Sequence, residues 1–220
     1  MKGKRRSSEE IAEELFLRYP QLIVCKDSID DAFRAILDSY RKEGKLLTAG
    51  NGGSAADSDH IAGELTKSFY FDRALDPELE KGLETLYGEK GKELASHLEG
   101  GLPAIPLTML NAAGTAFAND MDPKASIAQL VQVFGKKKDV FLGITTSGNS
   151  DNIVKALMVA KAKGVRSIVL TGKTGGKCLG LADICICAPE TETFKIQELH
   201  LPIYHALCLM VETELFEPRE

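Results

Sequence analysis

The chain has 220 residues, a formal net charge of −5, and 44% hydrophobic against 27% charged residues. That balance belongs to one large globular domain, big enough to bury a core without disulfides or a structural metal. It argues against nucleic acid as the main partner, and no apolar run is long enough to span a bilayer.

Two short basic runs stand out. Lys4-Arg5-Arg6 reads as a frayed terminus, and Lys136-Lys137-Lys138 as a solvated loop before a strand. The cysteines are odd in number: Cys25, Cys178, Cys185, Cys187 and Cys208. None forms a CxxC pair, so reduced thiols and a cytoplasmic location are expected. Cys185 and Cys187 would share one face of a strand as small hydrophobes. Nothing reads as a targeting segment.

In chain order, Ser7-x-x-Glu10 is a capping box that predicts a helix over residues 8–18. Pro20 interrupts. Ser28 is the expected cap of a second helix, with Ile29, Phe33, Ile36, Leu37 and Tyr40 along its inner face and Gly44 at its end. KLLTAG then reads as a buried strand. Residues 71–103 are charged and glycine-studded, with a helical patch over 77–98; a linker, a helical excursion and a lid all fit. Asp139–Thr145 is a second strand, 151–163 a helix stopped by Gly164, Arg166–Thr171 and Ile184–Ala188 two further strands, and 192–214 a last helix. Strands alternating with helices mean parallel pairing, and their near-continuous apolar character means a sheet covered on both faces. The expected fold is an open, doubly wound α/β sheet opened by N-terminal helices over 7–43.

Two loops lie at the carboxyl ends of strands, where such sheets bind ligands. In Gly50-Asn51-Gly52-Gly53-Ser54, glycine lets successive N–H groups point inward ahead of a helix N-terminus. It is not a Walker loop, and Ala55 breaks the dinucleotide fingerprint. Thr145-Thr146-Ser147-Gly148-Asn149-Ser150 offers four hydroxyls before another helix. Ser150 alone would suffice as a cap, so the cluster favours a phosphate monoester. On the helix after the first loop, His60 and Glu64 stand one turn apart on one face. That spacing suits a metal site, but taken alone it is better read as a surface salt-bridge residue and a core histidine.

GNGGSAAD…H…E, then TTSGNS, then IQELHLPIYH together resemble the SIS (sugar isomerase) domain family, and within it the phosphoheptose isomerases. The resemblance runs from about Ile29 to Phe216 and weakens over 71–103, which looks like an insertion in a single SIS domain spanning 1–220. It implies a five-stranded parallel sheet and interconversion of sedoheptulose 7-phosphate with D-glycero-D-manno-heptose 7-phosphate through an enediol. That chemistry needs a base for the carbon acid and a proton shuttle between oxygens. The resemblance assigns Glu64 as base and His205 as acid/base. It implies Zn2+ held by His60, Glu64, Gln197 and His205, and substrate contacts from Asn51, Gly52, Gly53, Asn119, Asp120, Thr145, Thr146, Ser147, Ser150 and Gln197. It further implies a homotetramer with sites at subunit interfaces. Gln197 and His205 are eight residues apart, about 12 Å along a helix, so one ion joins them only if both side chains lean inward or a neighbouring subunit contributes. His200 reads as a packing group or as a residue supporting the site from behind. Three departures are visible: Ser68 replaces an arginine expected after Lys67, Phe194 replaces an acidic residue, and Thr145 replaces a common serine. Two alternatives stay open, a non-catalytic sugar-phosphate-binding relative of the kind that assists replication initiation, and an isomerase of another ketose phosphate.

Overall fold

The computed structural model describes residues 5–217. Helix α1 (Ser8–Arg18) starts from the expected capping box: the Ser7 hydroxyl accepts from Glu10 N–H and the Glu10 carboxylate accepts from Ser7 N–H. Ile11 and Leu15 are its buried face. Arg5 and Arg6 are not frayed. Arg5 pairs with Glu217 and donates to the Thr213 carbonyl, and Arg6 pairs with Glu14. Lys4 lies outside the described residues.

A 3-10 turn over Pro20–Cys25 leads into α2 (Lys26–Arg41), three residues earlier than a Ser28 cap would place it. Ser28 is not its cap; its hydroxyl donates back to the Cys25 carbonyl. Gly44 does not supply the left-handed turn that follows. Glu43 does, at φ +56°, while Gly44 is needed because a Cβ there would lie 2.3 Å from the Lys138 carbonyl oxygen.

The sheet has five parallel strands in the order β2-β1-β3-β4-β5. They are β1 (Leu46–Ala49), β2 (Ala104–Pro106), β3 (Val140–Thr145), β4 (Arg166–Gly172) and β5 (Ile184–Ala188). The crossovers carry α3 (Gly53–Thr66), α4 (Pro77–Tyr87), α5 (Glu89–Ser96), α6 (Asn111–Asp120), α7 (Ser126–Phe134) and α8 (Asp151–Lys163), and α9 (Thr193–Leu215) closes the fold. Alternation along the strands sorts the core into two layers. Leu46, Leu142 and Ile168 pack against α1, α2, α3 and α9, whereas Leu47, Phe141 and Val169 pack against α7 and α8. Each such side chain contributes roughly 1.5–3 kcal/mol, and the central strands β1, β3 and β4 are buried on both faces apart from Arg166 at the start of β4.

The expected 77–98 helical patch is two helices. Asp76 caps α4, and Gly88, at φ +58°, turns the chain into α5. Gly91 lets the pair close, since a Cβ there would sit 2.0 Å from the Leu83 carbonyl oxygen. Helix α4 buries none of its residues. Pro202 sits inside α9 without ending it, at the loss of one helical hydrogen bond. Among the described residues, no helix is long and apolar enough to cross a membrane. All five thiols are free, and Cys185 and Cys187 share a face with their sulfurs 3.6 Å apart.

Candidate active site

Strand order reverses direction between β1 and β3, and the loops after these two strands open side by side. They are tied by a reciprocal amide pair: Asn51 Nδ2 donates to Asn152 Oδ1 at 3.0 Å, and Asn152 Nδ2 to Asn51 Oδ1 at 2.8 Å. Gly52 takes φ +56°, which a side chain disfavours, and starts α3. The Ser58 hydroxyl donates to Thr48 Oγ1 at 2.8 Å, fastening α3 to β1.

In the second loop Gly148 turns at φ +66°. Ser150 is the N-cap residue of α8, yet its hydroxyl makes no capping bond and instead meets Thr145 Oγ1 at 2.9 Å. Ser147 Oγ accepts from Asn149 N–H at 3.1 Å and is exposed, while Thr146 is half-buried. The hydroxyl cluster is therefore not spent on capping. It surrounds a helix N-terminus, whose N–H groups and dipole favour an anion.

Two turns along α3, His60 and Glu64 meet at 2.9 Å (Nε2 to Oε1). Helices α3 and α9 run side by side, so His205 joins them: its ring centroid is 5.0 Å from that of His60. One ligand atom each from His60, Glu64 and His205 lie within 4.8 Å of one another. Phe69 and Tyr204 pack on the His205 ring at 5.4 and 5.0 Å. Burial and the neighbouring His60 push the His205 pKa below its ordinary value, with Glu64 opposing. His205 Nε2 is buried without a hydrogen-bond partner.

The tautomer of His60 follows from its other neighbours. Tyr204 OH donates to Asp57 Oδ1 at 3.3 Å, so its oxygen accepts from His60 Nδ1–H at 3.1 Å. Nε2 then carries a lone pair that faces the Glu64 carboxylate, an arrangement calling for a proton or a cation between them. The donor set of two imidazoles and one carboxylate suits Zn2+. Burial raises the Asp57 pKa, offset in part by the Tyr204 hydrogen bond.

The remaining expected residues fall in two places. Gln197 lies against Gly53, where a Cβ would sit 2.5 Å from its Nε2. Gly53 precedes His60 by seven residues, about 10 Å of helix, so the Gln197 amide stands at the loop end of the α3–α9 pair, two turns short of the trio. Asn119 and Asp120 pair with each other at 2.9 Å on the exposed end of α6. His200 is fully buried, bonded through Nε2 to the Thr171 carbonyl at 3.2 Å, as a packing group would be.

Comparison with known proteins decides what this arrangement belongs to. The SIS domain family matches residues 21–90 and 91–172. The chain belongs to the SIS domain family, on its phosphoheptose isomerase branch. It is 38% identical over 206 residues to a phosphoheptose isomerase of Aneurinibacillus thermoaerophilus, covering 94% of this chain and 86% of the relative. It is 40% identical over 206 residues to one from Campylobacter jejuni, covering 94% and 88%. Among solved structures it resembles a phosphoheptose isomerase from Neisseria gonorrhoeae, with TM-score 0.68 and 29% identity over 93% of this chain and 90% of that one.

Within this SIS domain, the departures noted in the sequence acquire partners. Ser68 donates through both N–H and hydroxyl to Glu99, at the far end of the α4–α5 excursion, and its oxygen accepts from Arg73 N–H at 3.0 Å. Burial works to raise the Glu99 pKa, but the two Ser68 hydrogen bonds together with the charges of Arg73 and Lys67 outweigh it and hold the carboxyl below its ordinary value. Phe194 is exposed, with Lys195 over its ring. Tyr204, Asp57 and Asn152, which the sequence did not single out, are hydrogen-bonded to the candidate residues or to one another. The signal available for Asp57 was its place one helical turn before His60, and for Tyr204 its place beside His205.

Proposed function

We propose that this SIS domain interconverts sedoheptulose 7-phosphate and D-glycero-D-manno-heptose 7-phosphate, with Glu64 as the base and His205 as the acid/base group. The observation that carries the assignment of residues is the convergence of His60, Glu64 and His205 two turns behind a hydroxyl-lined loop pair.

Thr145, Thr146, Ser147 and Ser150, with the N-terminus of α8, hold the phosphate. Asn51, Gly52, Gly53 and Gln197 line the path from that loop toward the trio and take sugar hydroxyls, joined by Asn119 and Asp120. At the reacting end, Glu64 removes the proton that migrates between C1 and C2 and returns it to the other carbon. His205, kept neutral near pH 7 by its lowered pKa, relays the hydroxyl proton to the neighbouring oxygen, a role open to it only while its accepting ring nitrogen is not bound to an ion. Asp57 and Tyr204 lock the His60 ring. His60, Glu64 and His205 would hold Zn2+, and a bound ion would stabilise negative charge on the sugar oxygens. In the present rotamer Gln197 is a substrate-side contact; as a fourth ligand its amide has to leave Gly53. The working protein is a homotetramer, which light scattering on the purified protein tests.

The test of the reaction is incubation of the protein with sedoheptulose 7-phosphate, before and after chelation and zinc return, with the aldose followed by NMR. Zinc-dependent appearance of the aldose phosphate supports both the reaction and the metal. Binding without turnover in zinc-loaded protein would favour the non-catalytic reading, and turnover of a different ketose phosphate alone would replace the substrate.

A further inference from the structure

Behind the trio lies an ion pair that touches neither the loops nor a substrate. Arg73 and Glu212 are both fully buried, and Arg73 Nε donates to Glu212 Oε1 at 2.8 Å. The rest of the guanidinium reaches the end of α3. Nη1 donates to the Leu65 carbonyl at 2.6 Å and Nη2 to the Glu64 carbonyl at 2.8 Å. Its face lies over the Phe216 ring, 4.8 Å from the centroid. Glu212 makes two more bonds, accepting from Phe69 N–H at 2.8 Å and Tyr70 N–H at 3.0 Å.

We infer that Arg73 and Glu212 are positioning residues for the isomerisation, setting the separation of Glu64 from His205. Three elements meet in this pair. Arg73 grips the backbone of Glu64 itself. Glu212 stands seven residues after His205 on α9, two turns along the same helix face. The N–H groups it holds belong to Phe69, whose ring packs on His205, and to the next residue. Carboxylate and imidazole are thus fixed from their backbones outward.

Stability alone does not account for the pair. Two charges taken fully out of water are costly, and apolar replacements of similar volume are often neutral or stabilising. What apolar side chains cannot reproduce is the planar fork that bonds two successive helix-end carbonyls and a carboxylate at once. The Glu64 and Leu65 carbonyls sit in the last turn of α3, where a cation also opposes the negative end of the helix dipole.

This inference rests on the isomerase reading, and the experiment separates the two. The variants are Arg73→Lys, which keeps the charge and loses the fork, and the double substitution R73M/E212L, which removes both charges. Each is assayed at a temperature where circular dichroism shows it folded, with kcat and KM for sedoheptulose 7-phosphate measured beside the imidazole resonances of His205. The expected result is a fall in kcat of tenfold or more with KM within threefold, accompanied by displaced His205 resonances. A folded variant with kcat within twofold of the parent and unmoved His205 resonances would overturn it. So would a loss of rate fully explained by a smaller folded fraction. Where the double variant does not fold, Arg73→Lys decides by the same criteria. A parent with no turnover would count against the isomerase reading, while the His205 resonances still report whether the pair positions the ring.

Discussion

Asn51 and Asn152, 101 positions apart, exchange two side-chain hydrogen bonds and so join the loop after β1 to the start of α8. The glycine loop and the hydroxyl loop are one cradle held by a single amide pair. Asn51→Ala frees both loops and removes two hydrogen bonds, each worth about 0.5–1.5 kcal/mol. The expected outcome is a five- to tenfold rise in KM for the sugar phosphate. Asn152→Ala should show the share of that rise that comes from the loop tie, and the double variant should cost little more than Asn51→Ala alone. Strictly additive effects would mean that the pair does not couple the loops.

Ser147 is exposed, and although its oxygen accepts from Asn149 N–H its hydroxyl hydrogen is left to donate to a ligand. Ser147→Ala should weaken inorganic phosphate and substrate binding by about 1–2 kcal/mol with the thermal midpoint unchanged. Calorimetric titration beside a melting curve checks it. Unchanged affinity would remove Ser147 from the phosphate site.

Tyr204 holds the His60 tautomer through one oxygen. Tyr204→Phe keeps the ring and leaves Nδ1 without an acceptor. Zinc affinity, measured by competition with a chromophoric chelator, should fall 10- to 100-fold, as is usual when an outer partner of a ligating histidine is lost. An unaltered affinity would show that His60 does not depend on Tyr204.

His200 makes stability depend on pH. Burial lowers its folded pKa to about 4 from an ordinary 6.5, against a smaller opposing effect of its bond to the Thr171 carbonyl. Between these values the unfolded chain takes up a proton that the folded one refuses, so this contribution is complete above about 6.5 and is lost as pH falls toward 4. The loss is on the order of 3 kcal/mol. Urea unfolding of the parent and of His200→Gln at several pH values between 7 and 4.5 tests it. The parent's advantage should shrink as the pH drops, and a constant difference would assign the acid sensitivity elsewhere.

What could be read from the sequence was what local chemistry specifies. Helix α8 runs over the expected residues because Ile153, Leu157 and Ala160 form its buried face and Gly164 closes it in the left-handed conformation. The His60–Glu64 spacing was visible because one helix carries both. Strand β2 was hidden because it has three residues, ends in a proline, and follows another; an edge strand tolerates both. The start of α2 was misplaced because Ser28 looks like a cap, whereas a proline-led 3-10 turn sets that helix going earlier. Asp57–Tyr204, Asn51–Asn152 and Arg73–Glu212 were out of reach for another reason. Their partners lie 101 to 147 positions apart and meet only after helices and loops have packed.

The assignment of Glu64 as the base is tested most directly by Glu64→Gln, assayed for turnover and for deuterium entry from heavy water into sedoheptulose 7-phosphate. Gln keeps the volume and the hydrogen-bonding reach but cannot take the carbon-bound proton. The variant should give no aldose, no deuterium at C1 or C2, and substrate affinity within about threefold of the parent, since the phosphate loop is untouched. Deuterium entry at the parental rate in that variant would contradict it and remove Glu64 from the chemistry.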